Sequence, residues 1–235
     1  MTQRSSDALV VAIDGPSGSG KSTVARGVAD ALGLRYLDTG AMYRAITWLV
    51  LRRGVALDDP AVVASTAAGA DLEVSTDPHN RKVVVDGTDV TVEIRSAEVT
   101  AAVSAVSAVG DVRAEMVRRQ RTLIGHGGIV VEGRDIGTTV APDADVKIFL
   151  TAEERVRAER RGAEIAGRTL DASTLATTGE ALRRRDAADS TRIASPLTKA
   201  PDATEIDATE LDADTVIARV VELAGAVSAH GQASR

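Results

Sequence analysis

The run GPSGSGKS at residues 15–22 has the residue types and spacing of a polyphosphate-binding loop. It fits G-x-x-x-x-G-K-[ST], in which backbone amides surround phosphate oxygens. Gly15 and Gly20 allow the chain to curl, Lys21 is expected to reach the β- and γ-phosphates, and Ser22 is expected to ligate Mg²⁺. The predicted contacts to a nucleoside triphosphate are Gly15, Pro16, Ser17, Gly18, Ser19, Gly20, Lys21, Ser22 and Thr23. The alternative, a chance glycine-serine turn, is disfavoured by the strand and helix patterns on either side.

Strand and helix patterns around this phosphate loop (residues 15–22) predict the scaffold that positions it. A short apolar run enters the loop, and STVARGVADALGL after it has the apolar spacing of a helix. The predicted core strands lie at residues 8–14, 34–38, 128–133, 145–150 and 203–208. Five such strands separated by helices predict an α/β fold with a doubly wound parallel sheet. Ligands of such sheets bind at the carboxyl ends of the strands.

Two interruptions separate these strands. Within residues 70–95, DLEVST, KVVVDG and TVEI with turn signals between them predict a small antiparallel sheet, flanked by helices at 58–69 and 97–125. The second interruption, at 152–192, has two helical patterns around the polar loop GRTLDASTLATTGE.

Composition excludes several classes of function. The chain has no cysteine and three histidines, which excludes disulfides, thiolate zinc sites and a cysteine nucleophile. A net charge of -6 and 2% aromatic residues argue against binding to a nucleic acid polymer. The N-terminal apolar run is too short for a signal peptide, and no segment has the apolar length of a membrane span. A cytoplasmic protein is therefore expected.

Arginines recur in three stretches that could face the phosphate loop: DTGAMYR (38–44), GRDIGT (133–138) and RRDAADSTR (184–192). Arginine binds phosphate through two parallel hydrogen bonds, so several near a triphosphate predict a second phosphorylated substrate. A phosphate monoester is already ionised at neutral pH, so transfer to it needs no protein general base. Each arginine alone could equally be a solvated surface charge. DTG also occurs in aspartic proteases, but the second aspartate of their dyad is missing here.

Six segments, taken in this order, resemble those of bacterial cytidylate kinases. They are GPSGSGKST, LDTGAMYR, VSAVSAVGDVRAEMVRRQR, VVEGRDIGT, DVKIFL and RRDAADSTR followed by SPL, and the resemblance covers roughly residues 9–220. It implies a nucleoside monophosphate kinase that uses ATP and Mg²⁺ to phosphorylate CMP or dCMP. It also implies one domain, expected to act as a monomer. The implied parts are a core (about 8–57, 126–151 and 193–227), a monophosphate-binding insertion (about 58–125), a lid (about 152–192) and a flexible tail (228–235).

The resemblance further implies which residues bind the acceptor. Its phosphate would be held by Thr39, Arg44, Arg134 and Arg192; Thr39 stands where some relatives carry serine. Cytosine would be recognised by Ser104, Arg113 and Asp135, and the ribose by Arg185 and Asp189. A carboxylate facing the amino group and an arginine facing the ring acceptors would distinguish cytosine from uracil. From the residues alone, Ser104 could be a packing residue and Arg113 a member of a surface pair with Asp111.

The predicted lid carries Arg155, Arg157, Arg160 and Arg161 on one helix, with Arg157 and Arg161 on the same face. One of them could cover the ATP phosphates on closure. The alternative is a charged surface paired with nearby glutamates. The predicted catalytic set is Lys21, Arg134, Arg192, Arg157 and Arg161. Two other functions stay open: a related kinase with another acceptor (UMP, AMP or shikimate), and a nucleotide-dependent switch, although the chain has no N-K-x-D guanine-binding sequence.

Overall fold

The computed structural model describes residues 8–166 and 172–233. The strands are β1 (Val10–Asp14), β2 (Arg35–Asp38), β3 (Leu72–Val74), β4 (Val83–Val85), β5 (Thr88–Asp89), β6 (Ile129–Gly133), β7 (Val146–Thr151) and β8 (Thr204–Asp207). The helices are α1 (Lys21–Leu32), α2 (Thr39–Arg52), α3 (Pro60–Ala68), α4 (Ala97–Ala108), α5 (Gly110–Ile124), α6 (Glu154–Ala166), α7 (Ala172–Thr191) and α8 (Ala213–Ala233). None of the described helices is long and apolar enough to cross a bilayer.

A five-stranded sheet with the order β2-β6-β1-β7-β8 forms the centre of the protein, and all its neighbouring strands are parallel. One apolar cluster packs α1 and α8 on one face, and a second packs α2 to α5 on the other. The inner strands of the sheet are rich in valine and isoleucine because both faces of the sheet are covered. The α/β fold class and all five predicted core strands are therefore confirmed.

The small antiparallel sheet of β3, β4 and β5 is also confirmed, but one of its predicted strands is wrong. TVEI alternates like a strand, yet residues Glu93–Arg95 form a 3-10 helix. The Ile94 amide donates to the Val90 carbonyl at 3.0 Å, and this local bond turns the chain out of the sheet. Ile94 is buried while Val92 points into solvent, so the two apolar residues of TVEI do not share a buried face.

The predicted helices and loops differ from the structure at three places. The helix predicted at 97–125 is two helices, α4 and α5, because Val109 between them is extended (φ −70°, ψ 119°). The polar loop predicted at 167–180 is helical from residue 172 onward, since its alanines, leucine and glutamate are helix formers; residues 167–171 lie outside the described ones. The predicted tail at 228–235 is helical as far as Ala233, because no proline interrupts it.

The insertion is tied to the edge of the main sheet. The backbone amide of Tyr36 in β2 donates to the carbonyl of Thr76 at 2.8 Å. Thr76 follows β3, so the small sheet lies beside the terminal strand of the large one. This contact positions the insertion at the end of the sheet where α2 begins.

Candidate active site

A cleft of about 510 Å³ opens at the carboxyl ends of the parallel strands. The phosphate loop from Ser17 onward and the start of α1 form one side of it. The start of α2, the end of β6, parts of α6 and α7, and residues 208–213 form the rest. Register explains why these segments meet: Asp14, the last residue of β1, lies opposite Gly133, the last residue of β6.

Lys21 is buried at the base of the phosphate loop. Its Nζ donates to the carbonyl of Pro16 at 2.6 Å and lies 3.4 Å from Ser19 Oγ. Burial, and then the positive charge of Arg134, lowers the pKa of Lys21. A bound phosphate would place negative charge next to this ammonium group and favour its protonated form.

Close packing explains two glycines of the loop. A Cβ on Gly15 would lie 2.1 Å from the carbonyl oxygen of Leu150 in β7. A Cβ on Gly18, whose φ is +77°, would lie 2.6 Å from the carbonyl oxygen of Arg157 in α6. The loop therefore rests directly on the backbone of its neighbours, and only glycine fits at these two positions.

Glu132, at the end of β6, is a buried carboxylate in the cleft that the sequence interpretation missed. It accepts hydrogen bonds from Ser22 Oγ at 3.0 Å and from the Tyr36 hydroxyl. Burial, and then the negative charge of Asp38, raises the pKa of Glu132. The sequence feature that could have identified Glu132 is an acidic residue near the end of an otherwise apolar strand. In the sheet, Glu132 lies opposite Ile13 of β1.

The oxygen donors of Ser22 and Glu132 suit Mg²⁺, which prefers hard oxygen ligands and keeps several waters. Within residues 8–166 and 172–233, no cluster of three histidine, cysteine or carboxylate side chains could hold a metal. A magnesium ion here would therefore depend on the phosphates of the nucleotide for further ligands. The donor set fits that arrangement.

Asp14 is a second buried carboxylate missed from the sequence. Its two oxygens accept from the backbone amides of Ile136 at 2.9 Å and Gly137 at 2.8 Å. Burial raises its pKa to about 6, although these two hydrogen bonds oppose the shift. The carboxylate fixes the turn after β6, and with it the backbone of Arg134 and Asp135.

Three of the predicted acceptor arginines, Arg44, Arg134 and Arg185, converge on the cleft. Arg44 donates to the Ile94 carbonyl at 3.1 Å and to Thr100 Oγ1 at 2.9 Å, and Arg134 donates to Asp189 at 2.9 Å. Burial, and then repulsion from the other two arginines, lowers the pKa of Arg185 to about 9. This concentration of positive charge favours an anion.

The remaining predicted acceptor residues lie outside the lining of the cleft; they are Thr39, Ser104, Arg113, Asp135, Asp189 and Arg192. Thr39 donates to the Glu132 carbonyl at 2.7 Å, and Ser104 accepts from Ser107 Oγ at 3.2 Å. Asp189 also pairs with Arg192 at 3.3 Å.

Arg113 and Asp135 form a buried ion pair at 2.6 Å. Arg113 also donates to the Ser107 carbonyl at 3.3 Å and lies 5.2 Å from the centre of the Tyr43 ring. Burial, and then the positive charge of Arg113, lowers the pKa of Arg192. The Arg113–Asp135 pair is therefore close enough to Arg192, the partner of Asp189, to influence its charge.

The four predicted lid arginines differ in their surroundings. Arg155 pairs with Glu159 on the surface, as the charged-surface alternative expects. Arg160 and Arg161 both line the cleft, and Arg160 also donates to the carbonyls of Ala208 at 2.7 Å and Leu211 at 3.3 Å. Arg157 contacts the phosphate loop and the side chain of Asp186. Arg81 and Arg95 of the insertion also line the cleft, but no motif singled them out.

A model of the cytidylate kinase family matches residues 11–226. The chain belongs to the cytidylate kinase family. The cytidylate kinase of Streptomyces avermitilis is 52% identical, covering 94% of each chain, and that of Rhodococcus opacus is 52% identical, covering 97% of this chain and all of the relative. An uncharacterized protein from Eubacterium ventriosum superposes with a TM-score of 0.50 at 14% identity, covering 93% of this chain and 99% of that one, which shows a likeness of fold alone.

Membership of the cytidylate kinase family confirms the resemblance and makes the protein a nucleoside monophosphate kinase. It also decides against the switch or binding module. The roles assigned to individual side chains stay predictions, and they form part of the proposal below.

Proposed function

We propose that this protein transfers the γ-phosphoryl group of MgATP to CMP or dCMP, producing ADP and CDP or dCDP. The observation that carries the proposal is a single cleft with the phosphate loop on one side and Arg44, Arg134 and Arg185 on the other. Two anionic nucleotides need such a site, because each repels the other until positive charge surrounds both. The family of the chain indicates cytidine as the acceptor nucleoside.

On the donor side, the amides from Ser17 to Thr23 and the N-terminus of α1 would hold the triphosphate. Lys21 would approach the bridging oxygen and stabilise the charge that develops there. Magnesium, when bound, would supply positive charge that neutralises the phosphates of the nucleotide. Ser22 would ligate the metal, and Glu132 would orient the Ser22 hydroxyl and the waters around the metal.

On the acceptor side, Arg44 and Arg134 would hold the phosphate that attacks, and the guanidinium of Arg185 would add positive charge beside them. That phosphate is ionised at neutral pH, so positioning and charge neutralisation suffice and no protein base removes a proton. We propose that Arg161, Arg157 and Arg192 provide further positive charge when the lid closes. Thr39 would add a hydroxyl at the start of α2 after rotating away from the Glu132 carbonyl.

The base and sugar would bind where the buried polar network lies. Arg113 and Asp135 are held opposite one another, which pre-organises a donor and an acceptor for the edge of cytosine. Ser104 would face the same base, and Arg185 with Asp189 the ribose. In this scheme residues 58–125 are the monophosphate-binding insertion and 152–192 the lid.

The test is an ADP-release assay with CMP, dCMP, UMP, AMP and shikimate as acceptors. We expect the highest kcat/KM with CMP or dCMP and no turnover without Mg²⁺. A higher kcat/KM with any of the other three acceptors would overturn the assignment. ADP release at the same rate without an acceptor would identify a hydrolase instead.

A further inference from the structure

One turn of α7 contacts both sides of the cleft. Asp186 reaches the phosphate loop, whereas Asp189, one turn later, binds an arginine of the acceptor side. Arg185, which directly precedes Asp186, lines the cleft itself. The same helix also packs against α4 of the insertion. A rigid element of this kind can transmit a change at one nucleotide site to the other.

At the donor end, Asp186 closes a small ring of hydrogen bonds. One carboxylate oxygen accepts from the backbone amide of Ser17 at 3.0 Å, and the other accepts from Arg157. Arg157 in turn donates to the Ser17 carbonyl at 3.1 Å and to the Ala152 carbonyl at 3.1 Å. The side chains of Arg157 and Asp186 are only 11% and 17% exposed, so water weakens this pair less than it does a surface pair.

Backbone packing strengthens the same junction. Gly18 lies so close to α6 that even a Cβ would meet the carbonyl oxygen of Arg157. The tip of the phosphate loop is therefore held by α6 through packing and by α7 through Asp186. The loop cannot adjust to a triphosphate without moving one of these contacts.

At the acceptor end, Asp189 accepts from Arg134 at 2.9 Å and pairs with Arg192 at 3.3 Å. Asp189 is buried, and attraction from Arg134, Arg185 and Arg192 outweighs burial and lowers its pKa. The carboxylate therefore holds α7 to the group of arginines that, in the proposed function, binds the acceptor phosphate. Moving α7 would move Arg185 and loosen this group.

We propose that Asp186 is a positioning residue that couples ATP binding to acceptor binding through α7. The inference rests on the proposed function. The first nucleotide that binds fixes α7 in one position. Binding of the second nucleotide then costs less conformational entropy, and the effect is the same whichever nucleotide binds first. Removing the carboxylate should leave each site able to bind alone while making the two sites independent. A purely structural ion pair would instead lower stability and leave the coupling unchanged.

The experiment measures CMP binding by calorimetry with and without a saturating non-hydrolysable ATP analogue and Mg²⁺. For the wild type we expect the analogue to lower the Kd of CMP by about fivefold or more, which is the usual scale of coupling between sites. For Asp186→Asn we expect a change of at most about twofold. The reverse titration should give the same factors.

The matched control is Glu180→Gln, which removes one negative charge from an exposed position on the same helix, where Glu180 pairs with Arg184. It should retain the wild-type coupling factor. The inference would be overturned if the ATP analogue lowered the Kd of CMP in Asp186→Asn as much as in the wild type. It would also be overturned if the analogue left the Kd of the wild type unchanged. If Asp186→Asn does not fold, Asp186→Glu, which keeps the charge but is too long to hold Ser17 and Arg157 at these distances, decides by the same criterion.

Failure of the proposed function would be distinct. In that case wild-type protein would neither bind CMP nor release ADP in its presence. Normal turnover with CMP together with unchanged coupling in the variants would refute only the role of Asp186.

Discussion

Replacing Asp135 by alanine removes one half of the buried pair with Arg113. The two side chains are 6% and 4% exposed and 2.6 Å apart, so the remaining guanidinium would have almost no access to water. Its other contacts are weak replacements: the Ser107 carbonyl at 3.3 Å and the face of the Tyr43 ring at 5.2 Å. Arg113 Nε has no hydrogen-bond partner among the described residues.

An uncompensated buried charge destabilises a protein by about 3–5 kcal/mol. For a chain of this length, that corresponds to a fall in Tm of roughly 6–20 °C. Urea unfolding followed by circular dichroism measures the change, and a fall in the midpoint without a change in slope would identify a loss of stability.

The double variant R113M/D135L separates stability from function. Two apolar side chains of similar size need no charge partner, so we expect unfolding free energy within about 1–2 kcal/mol of the wild type. Its kcat/KM with CMP should nonetheless stay at least about a hundredfold low, because the donor and acceptor that we propose for the base are gone. Binding of the ATP analogue should be unaffected.

The reasoning fails if Asp135→Ala loses less than about 1 kcal/mol, since the pair would then not be buried as a charged unit. It fails equally if the double variant is as unstable as the single one, because the cause would then be lost packing. A double variant with normal turnover of CMP would remove both residues from the proposed base site.

Three other changes test the site. Lys21→Ala should lower kcat by at least roughly a hundredfold in the ADP-release assay while exposed Lys82→Ala leaves it unchanged, and equal rates would contradict the role of Lys21. Gly18→Ala should raise KM for ATP by about tenfold or more because its Cβ meets the Arg157 backbone, whereas Gly54→Ala, which has a positive φ but open space, should show only backbone strain in urea unfolding. Burial raises the pKa of Asp14 to about 6, above its unfolded value. The contribution of Asp14 to the free energy of unfolding should therefore be full below about pH 4. It should be lost, by up to about 3 kcal/mol, as the pH rises through 6. Urea unfolding from pH 4 to 8 should therefore show a less negative slope of stability against pH in Asp14→Asn, and identical slopes would contradict the assignment.

Runs of apolar residues, which indicate strands buried on both faces of a sheet, predicted the core of the fold correctly. The runs that became β1, β6 and β7 are largely continuous and apolar, as expected of strands covered on both faces. The insertion was harder, because short segments can alternate for other reasons. Residues 91–94 alternate between polar and apolar types, but of the two apolar residues only Ile94 is buried, and a local hydrogen bond there outweighs strand propensity.

For the site, the sequence predicted several of the arginines that line the cleft, but not Arg81, Arg95 or the carboxylates of Asp14, Glu132 and Asp186. Motifs report residues that bind a shared ligand, whereas Asp14, Glu132 and Asp186 bind parts of this protein's own backbone and side chains. The partners of Asp186 lie 169 and 29 positions away, at a spacing that no local pattern carries. Such contacts become visible only when the chain is folded.

The bond between Tyr36 and Thr76 has a consequence for solubility. The terminal strand of an open sheet invites pairing with a strand of another molecule, which is a common start of aggregation. In β2 an outward amide is already occupied by Thr76, and the strand passes directly into α2 after Asp38. The insertion thus also keeps neighbouring molecules from adding to this edge of the sheet.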